Sequence, residues 1–241
     1  MPKEKIRVTI VDDHQSIVDG YRFRLHNFPR VEVVAAISYG EDIEPTLKSH
    51  PTDVLLLDVN VPTSAENPNH YPVLHMVPSL LQQYPDIDIL MISMHSERSL
   101  VRAVMEAGAS GYIIKDDSQA IQELGSIILL VASGGVYLSE RVRKNLFKSS
   151  EGDEEIVLSA RQREIISLSA AYPNNTTYEL AEKMRVANST VRNLLSGAYL
   201  KLGVNTRAAA IAKSRQMGII SGDTADATLP IPKKKEKSNQ P

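Results

Sequence analysis

A chain of 241 residues with 42% apolar and 23% charged side chains is long enough for two globular domains, each with its own core. It contains no cysteine, which excludes disulfides, thiolate metal sites and thiol catalysis and is compatible with a reducing compartment. The N-terminus, Met1 to Lys5, leads directly into a strand pattern without a long apolar segment, so we expect a cytoplasmic protein that does not enter a membrane.

The formal net charge of −2 conceals a difference between the two halves of the chain. Residues 1–150 contain 14 Lys or Arg against 19 Asp or Glu, a net charge of −5, whereas residues 156–220 contain 9 against 3, a net charge of +6. Because a basic domain attracts polyanions and an acidic one does not, this charge pattern indicates different partners for the two halves, unless it arises by chance.

Strand patterns rich in Val and Ile alternate with helical patterns in the first 135 residues. The strands are predicted at 6–11, 31–37, 53–58, 87–93 and 111–115, and the helices near 15–27, 41–49, 73–84, 97–107 and 118–133. The second helix follows Ser38-x-x-Glu41, which has the spacing of a capping box. Continuous apolar runs such as 54–57 are typical of strands buried on both faces. The alternation predicts an α/β domain, a doubly wound parallel sheet of five βα units.

The second half of the chain shows no strand pattern. Residues 136–155 are predicted to be a linker that starts as a helix and ends in a small, acidic segment at 149–155. Helical patterns follow at about 159–171, 177–184, 189–202 and 205–217, which predicts a small all-α domain over 156–220. Its first two helices have possible capping boxes, Ser159-x-x-Gln162 and Thr176-x-x-Glu179. Residues 221–241 are predicted to be a disordered basic tail, which either attracts phosphates or only improves solubility.

Ionisable and hydroxyl side chains stand at the predicted carboxyl ends of the strands, the edge where doubly wound sheets carry their sites. Asp12 and Asp13 follow the first strand, and Asp58, Ser93 and Lys115 end the third, fourth and fifth. Three adjacent carboxylates repel one another unless a cation binds, and oxygen ligands suit Mg²⁺. A carboxylate can then be phosphorylated while a lysine and a hydroxyl stabilise the added charge. Helix capping explains each aspartate singly, but not the matching serine and lysine.

Four segments resemble the receiver domain of two-component response regulators, over roughly residues 5–135: Val11-Asp12-Asp13-His14, Leu56-Leu57-Asp58-Val59-Asn60-Val61-Pro62, Met91-Ile92-Ser93-Met94-His95 and Gly108-Ala109-Ser110-Gly111-Tyr112-Ile113-Ile114-Lys115-Asp116. The resemblance implies that Asp58 is the phosphoacceptor. It implies a Mg²⁺ site formed by Asp12, Asp13, Asp58 and the backbone carbonyl of Asn60. It also implies that Ser93 and Lys115 contact the phosphoryl oxygens, and that Tyr112 is a switch aromatic whose inward or outward rotamer reports phosphorylation.

The segment from Thr63 to Pro72 departs from this family, because it is about five residues longer than the usual loop after the phosphoacceptor. One interpretation is that the segment controls the access of the phosphodonor to Asp58 or the lifetime of the phosphoryl group. The other is that it is a tolerated surface insertion. His70 in this segment is a candidate metal or phosphoryl ligand, although a single histidine in a polar loop is more often solvated.

The second half resembles the LuxR-type four-helix output domain, which implies a regulator of the NarL/FixJ subfamily. The resemblance is carried by Leu158-Ser159-Ala160-Arg161-Gln162-Arg163-Glu164-Ile165-Ile166, Glu179-Leu180-Ala181-Glu182-Lys183-Met184, Asn188-Ser189-Thr190-Val191-Arg192-Asn193-Leu194-Leu195 and Leu200-Lys201-Leu202-Gly203-Val204-Asn205-Thr206-Arg207. In a helix-turn-helix the second helix, here 189–202, enters the major groove of DNA. The candidate DNA-contacting residues are Ser189, Thr190, Arg192, Asn193, Ser196 and Lys201.

The spacing along the predicted recognition helix separates a core face from an outer face. Val191, Leu195, Ala198 and Leu202 are expected to face the core, which leaves Arg192, Asn193 and Ser196 pointing outward. Alternatively, Arg192 and Lys201 belong to an ordinary solvated surface. The last helix is expected to mediate dimerisation through Ala208, Ile211, Ala212 and Arg215, unless its apolar residues pack inside the domain.

The sequence therefore predicts a response-regulator transcription factor, not an enzyme in the usual sense. A histidine kinase would phosphorylate Asp58 with Mg²⁺, and the active regulator would bind double-stranded DNA as a homodimer. One alternative is a phosphorylation-independent DNA-binding regulator whose receiver domain is a docking or dimerisation module. A second, a Mg²⁺-dependent phosphatase on a related fold, is disfavoured by the helix-turn-helix half.

Overall fold

The computed structural model describes residues 5–147 and 157–220. The predicted acidic end of the linker and the predicted basic tail therefore lie outside the described residues. Within the two described ranges, no helix combines the length and apolar character needed to cross a bilayer.

The first domain is built on a parallel sheet. Its strands are β1 (Ile6–Val11), β2 (Val31–Ile37), β3 (Val54–Asp58), β4 (Asp88–Ser93), β5 (Gly111–Ile114) and β6 (Tyr137–Leu138), in the order β2-β1-β3-β4-β5-β6. Every residue of β3, β4 and β5 is buried, as expected for central strands covered on both faces. The predicted α/β fold class is confirmed, and the short β6 extends the sheet with residues that the sequence pattern assigned to the linker.

Helices cover both faces of this sheet. They are α1 (Gln15–His26), α2 (Ile43–Ser49), α3 (Val73–Gln83), α4 (Arg98–Glu106), α5 (Ser118–Gln122), α6 (Leu124–Ala132) and α7 (Glu140–Phe147). The predicted helix 118–133 is interrupted at Glu123. Side chains alternate along β3, so that Leu55 and Leu57 join a core with α2, α3 and α4, while Val54 and Leu56 join a core with α1 and α6.

The predicted capping box at Ser38 is wrong. Tyr39 precedes a short 3₁₀ turn, Gly40–Asp42, and no side chain caps it. The backbone N–H groups of Gly40 and Glu41 instead donate to the carbonyl oxygens of Pro62 and Thr63, at 2.9 and 3.0 Å. Because the first N–H groups of a helix need acceptors, the long loop at 62–72 takes over the role predicted for the serine.

The second domain consists of α8 (Ala160–Ala171), α9 (Thr177–Met184), α10 (Asn188–Leu202) and α11 (Arg207–Gln216). The capping boxes of Ser159 with Gln162 and of Thr176 with Glu179 are confirmed, since both reciprocal hydrogen bonds form in each. The predicted core residues of α10 are buried: Val191, Leu195, Ala198 and Leu202. Helices α9 and α10 form the helix-turn-helix, and the chain turns between them at Arg185 in a left-handed conformation.

Gly40 leaves space for the ring of Tyr71, which a Cβ at this position would overlap. We therefore expect Gly40→Ala to displace the 62–72 loop and to lower the free energy of unfolding by about 1–3 kcal/mol, the usual cost of overpacking. Urea denaturation measures this. Gly20→Ala is the control, because a Cβ there meets only an ordinary contact and alanine favours helix α1. An unchanged unfolding free energy for Gly40→Ala would contradict the described packing.

Candidate functional site

The predicted acidic residues converge on one edge of the sheet. One side-chain ligand atom from each of Asp12, Asp13, His14 and Asp58 lies within 4.8 Å of the others. The parallel register explains this arrangement, because Val11 at the end of β1 pairs with Leu57, one residue before Asp58. Asp12 and Asp58 are buried, whereas Asp13 is exposed on the open side of the pocket.

The ammonium group of Lys115 joins the two buried carboxylates. Its Nζ lies 2.8 Å from Asp12 Oδ2 and 2.8 Å from Asp58 Oδ2, and only 7% of the lysine side chain is exposed. Burial lowers the pKa of Lys115, but the hydrogen bonds and charges of Asp12 and Asp58 outweigh burial and raise this pKa above its usual value. Lys115 therefore remains charged and pairs with Asp58.

The donor set of this pocket fits a divalent cation. Asp12 Oδ1 accepts a hydrogen bond from the backbone N–H of His14 at 3.0 Å, which orients the carboxylate. Asp13 Oδ1 lies 2.8 Å from Nδ1 of His14, whose side chain is 62% exposed and therefore free to move away. Clustered carboxylate oxygens that are partly open to water are the ligands Mg²⁺ prefers, so the pocket is compatible with this ion.

Asn60 contacts Asp58 through its backbone, and Ser93 contacts Lys115 in the same way. The backbone N–H of Asn60 donates to Asp58 Oδ1 at 3.2 Å, so the loop after β3 turns around the carboxylate. Ser93 is buried at the end of β4, and its carbonyl accepts from the backbone N–H of Lys115 at 2.8 Å. The predicted serine, at the end of β4, and the predicted lysine, directly after β5, are thus neighbours at the same edge of the sheet.

Tyr112 is turned inward. Its side chain is fully buried, and its hydroxyl donates to the carbonyl oxygen of His95 at 2.9 Å. Burial is the main reason that the pKa of Tyr112 is raised to about 12, with the charges of Glu97 and Asp58 acting in the same direction. The phenol is therefore neutral at physiological pH and donates this hydrogen bond. Of the two rotamers that the resemblance allows, the structure has the inward one.

The predicted recognition helix α10 packs against the first domain. The guanidinium group of Arg192 donates to the carbonyl oxygen of Ile87 and lies 3.3 Å from Asp88 Oδ1. The side-chain amide of Asn188 donates to the carbonyl oxygen of Pro85 at 2.9 Å. The segment directly before β4 thus accepts hydrogen bonds from the helix that is expected to read DNA.

The expectation that Arg192, Asn193 and Ser196 point outward is wrong for this arrangement. Ser196 is buried, and Arg192 and Asn193 are half-buried. Asn193 lies against Gly108, where a Cβ would overlap its side chain. Helical spacing indicates only the face that a helix buries within its own domain. It does not indicate that α10 also contacts α4 of the first domain, which is why the expectation failed.

The other candidate DNA contacts are more accessible. Thr190 and Lys201 are exposed, and Ser189 is half-buried. Nζ of Lys201 donates to the carbonyl oxygen of Val157 at 3.2 Å and to Gln162 Oε1 at 3.0 Å, so it packs on its own domain. Lys201 is therefore not simply a solvated charge.

Asp88 is an interdomain residue that the sequence analysis missed. Burial raises the pKa of its carboxyl group, although the charge of Arg192 and a hydrogen bond of 2.7 Å from Ser110 Oγ act in the opposite direction. Asp88 lies at the amino end of β4, opposite the predicted phosphorylation site. A charged residue at the start of an otherwise apolar strand was the only signal in the sequence.

The predicted dimerisation face of α11 is open. Ala208, Ala212 and Arg215 are exposed and Ile211 is half-buried, while Ala210 and Ser214 face the core. The alternative that Ala208, Ile211 and Ala212 pack inside the domain is wrong for the two alanines, whereas Ile211 packs partly against the core.

Comparison with known proteins agrees with these observations. The response regulator receiver domain family matches residues 8–125. The transcriptional regulatory protein DegU of Brevibacillus brevis is 31% identical, over 90% of this chain and 95% of DegU. The chain belongs to the NarL/FixJ response regulators. The response regulator UvrY of Escherichia coli K12 is 28% identical to this response regulator, over 83% of the chain and 89% of UvrY.

Solved structures show the same fold. The RcsB response regulator of Salmonella typhimurium matches with a TM-score of 0.52 and 21% identity, covering 90% of this chain and 100% of RcsB. RcsB of Salmonella enterica serovar Typhimurium, bound to promoter rprA in the presence of the phosphomimetic BeF₃⁻, matches with a TM-score of 0.52 and 21% identity, over 87% of this chain and 98% of RcsB.

Removal of the Lys115 charge leaves Asp12 and Asp58 without their buried cation. We expect Lys115→Met to lower the free energy of unfolding by about 3–5 kcal/mol in Mg²⁺-free buffer, because an uncompensated buried charge is costly. Addition of Mg²⁺ should stabilise this variant more than the wild type, since the ion replaces the missing charge. Urea denaturation with and without Mg²⁺ measures both effects. Lys48→Met, at an exposed lysine of α2, is the control. A variant as stable as the wild type without Mg²⁺ would contradict the role of Lys115.

Proposed function

We propose that a histidine kinase phosphorylates this response regulator on Asp58 with Mg²⁺, and that phosphorylation controls sequence-specific DNA binding by residues 156–220. The observation that carries the proposal is the pocket in which Asp58 faces Lys115 beside Asp12 and Asp13. The packing of α10 on the same receiver domain supports it, because it connects the two functions physically.

The chemistry at Asp58 is a phosphoryl transfer to a carboxylate. One oxygen of Asp58 attacks the phosphorus of a phosphohistidine, forming an O–P bond as the P–N bond to the imidazole breaks. Lys115 holds Oδ2 of Asp58 and can transfer its hydrogen bond to a phosphoryl oxygen, while the Ser93 hydroxyl donates to another. Mg²⁺, bound by Asp12, Asp13, Asp58 and the Asn60 carbonyl, would neutralise charge on the phosphoryl oxygens.

Strand β4 connects the phosphorylation site to the DNA-binding domain. Ser93 stands at its carboxyl end, and Asp88, which faces Arg192, stands at its amino end. A change of the phosphorylation site that moves β4 or α4 would weaken the contacts with α10 and shift the two domains toward an open state. In that state Ser189, Thr190, Arg192, Asn193, Ser196 and Lys201 would contact DNA, the last of them at phosphates.

The domain organisation that we propose assigns residues 1–135 to the receiver, 156–220 to the output domain and 221–241 to a basic tail. Residues 136–155 are the linker, whose first residues add β6 to the receiver sheet. The exposed face of α11 is the proposed dimer contact, which suits a two-fold DNA site. A structural neighbour is described as two RcsB dimers bound to two parallel DNAs, which supports both parts of this proposal. Because the regulator would act on chromosomal DNA, we propose that it resides in the cytoplasm.

Substitution of the phosphoacceptor tests the proposal directly. Incubation of the wild type with acetyl phosphate and Mg²⁺ should add the mass of one phosphoryl group and strengthen DNA binding. Asp58→Asn should show neither effect, because the amide is not a nucleophile of this kind. Intact-protein mass spectrometry and a fluorescence anisotropy assay with DNA selected by the protein measure these effects. Wild-type protein that binds DNA equally well with and without phosphoryl transfer would favour the phosphorylation-independent regulator.

Loss of the Asp88 charge tests the interdomain contact without altering a DNA-contacting residue. We expect Asp88→Asn to raise the apparent DNA affinity of the unphosphorylated protein, because it destabilises the state in which α10 contacts the receiver. The affinity should rise about tenfold for each 1.4 kcal/mol by which that state is destabilised. Asp53→Asn is the matched control, since Asp53 pairs with Arg7 inside the receiver domain at 2.6 Å. Equal DNA affinities for both variants and the wild type would show that the contact of α10 with the receiver does not limit DNA binding.

A further inference from the structure

The long loop at 62–72 is a folded hairpin. Pro62 and His70 form an antiparallel bridge, and the backbone N–H of Thr63 donates to the carbonyl oxygen of Asn69 at 2.8 Å. The Thr63 hydroxyl donates to the same carbonyl, also at 2.8 Å. These hydrogen bonds hold the two arms of the loop together next to His70.

The hairpin is also fixed to the receiver domain. Its first arm accepts the N–H groups of Gly40 and Glu41, and the ring of Tyr71 occupies the space beside Gly40. The N–H of Tyr71 donates to the carbonyl oxygen of Val61 at 2.9 Å, which anchors the second arm directly after His70. The position of His70 is therefore set by backbone contacts on both sides.

This anchoring places the imidazole of His70 on the Asn60 carbonyl. Nδ1 of His70 lies 3.2 Å from this oxygen. Because a carbonyl oxygen only accepts hydrogen bonds, Nδ1 carries the proton. The same carbonyl is the expected backbone ligand of Mg²⁺ in the proposed function, and the N–H of Asn60 already donates to Asp58 Oδ1.

We propose that His70 is a positioning residue that weakens the binding of Mg²⁺ by donating a hydrogen bond to the Asn60 carbonyl. This inference rests on the proposed function. Two acceptor interactions at one carbonyl oxygen draw on the same electron density, so each weakens the other. Mg²⁺ requires short oxygen contacts in nearly octahedral geometry, which makes its affinity sensitive to the availability and direction of this ligand.

The proposal assigns a function to the extra length of the loop. Without the hairpin, the Asn60 carbonyl would have no histidine beside it and would be available to the ion. With the hairpin, metal binding has to displace or share the hydrogen bond from His70. Because phosphoryl transfer is proposed to require the bound ion, His70 raises the Mg²⁺ concentration at which Asp58 is half-maximally phosphorylated.

Isothermal titration of the full chain with MgCl₂ tests the inference. His70→Ala should bind Mg²⁺ about two- to tenfold more tightly than the wild type, since one hydrogen bond is removed. His70→Asn should restore the wild-type affinity, because its side-chain NH₂ can donate from nearly the position of Nδ1. His75→Ala, which removes an exposed histidine on α3, is the control and should leave the affinity unchanged.

The outcomes separate this inference from the proposed function. If His70→Ala binds Mg²⁺ no more tightly than the wild type, or if none of the proteins binds Mg²⁺, the role of His70 is wrong. If His70→Asn behaves like His70→Ala, the hydrogen bond is not the cause, and the inference fails as well. Mass spectrometry after treatment with acetyl phosphate is read separately: phosphorylation of the wild type but not of Asp58→Asn supports the proposed function whatever the Mg²⁺ affinities are.

Discussion

Two carboxylates, Asp12 and Asp58, are buried side by side at the carboxyl edge of the sheet and share one ammonium group. Burial of two like charges within 4.8 Å of each other is costly. The charge of Lys115, whose Nζ lies 2.8 Å from each carboxylate, offsets this cost. The pocket therefore depends on a balance of charge that a phosphoryl group or a divalent cation would change. If Asp58 is phosphorylated as we propose, the added negative charge would compete for the same lysine and change this balance.

Strand β4 is the structural route that we propose from this pocket to the DNA-binding domain. The central strand β4 carries Ser93 at one end and Asp88 at the other, and Asp88 lies beside Arg192 of α10. A strand that is buried along its whole length transmits displacement better than a surface loop does, because its neighbours on both faces restrict it. Tyr112 is already buried in this structure while α10 contacts the receiver, so the inward position of this ring does not by itself exclude the interdomain contact.

The parts of the molecule that follow from local pattern were predictable from the sequence. Continuous apolar runs located the central strands, and strand topology then brought Asp12, Asp13, Asp58, Ser93 and Lys115 to one edge. Contacts between distant segments were not predictable. The Ser38 cap failed because carbonyls of a loop more than twenty residues away accept the N–H groups of Gly40 and Glu41. Likewise, helical spacing assigned Arg192 and Asn193 to solvent because it contains no information on the receiver domain, which both residues contact. His70 was noticed as a residue, but its contact with Asn60 required the folded hairpin.

The central claim is that phosphorylation at Asp58 releases α10 from the receiver domain. Because the chain has no cysteine, spin labels can be attached at Ser79→Cys on α3 and Glu182→Cys on α9, both exposed positions, without other changes. Double electron–electron resonance between these labels should give one narrow distance distribution for the untreated protein. Addition of BeF₃⁻ with Mg²⁺ should produce a broad distribution at longer distances, and Asp58→Asn should retain the narrow one. The same narrow distance distribution before and after BeF₃⁻ treatment of the labelled chain with Asp58 intact would contradict the claim.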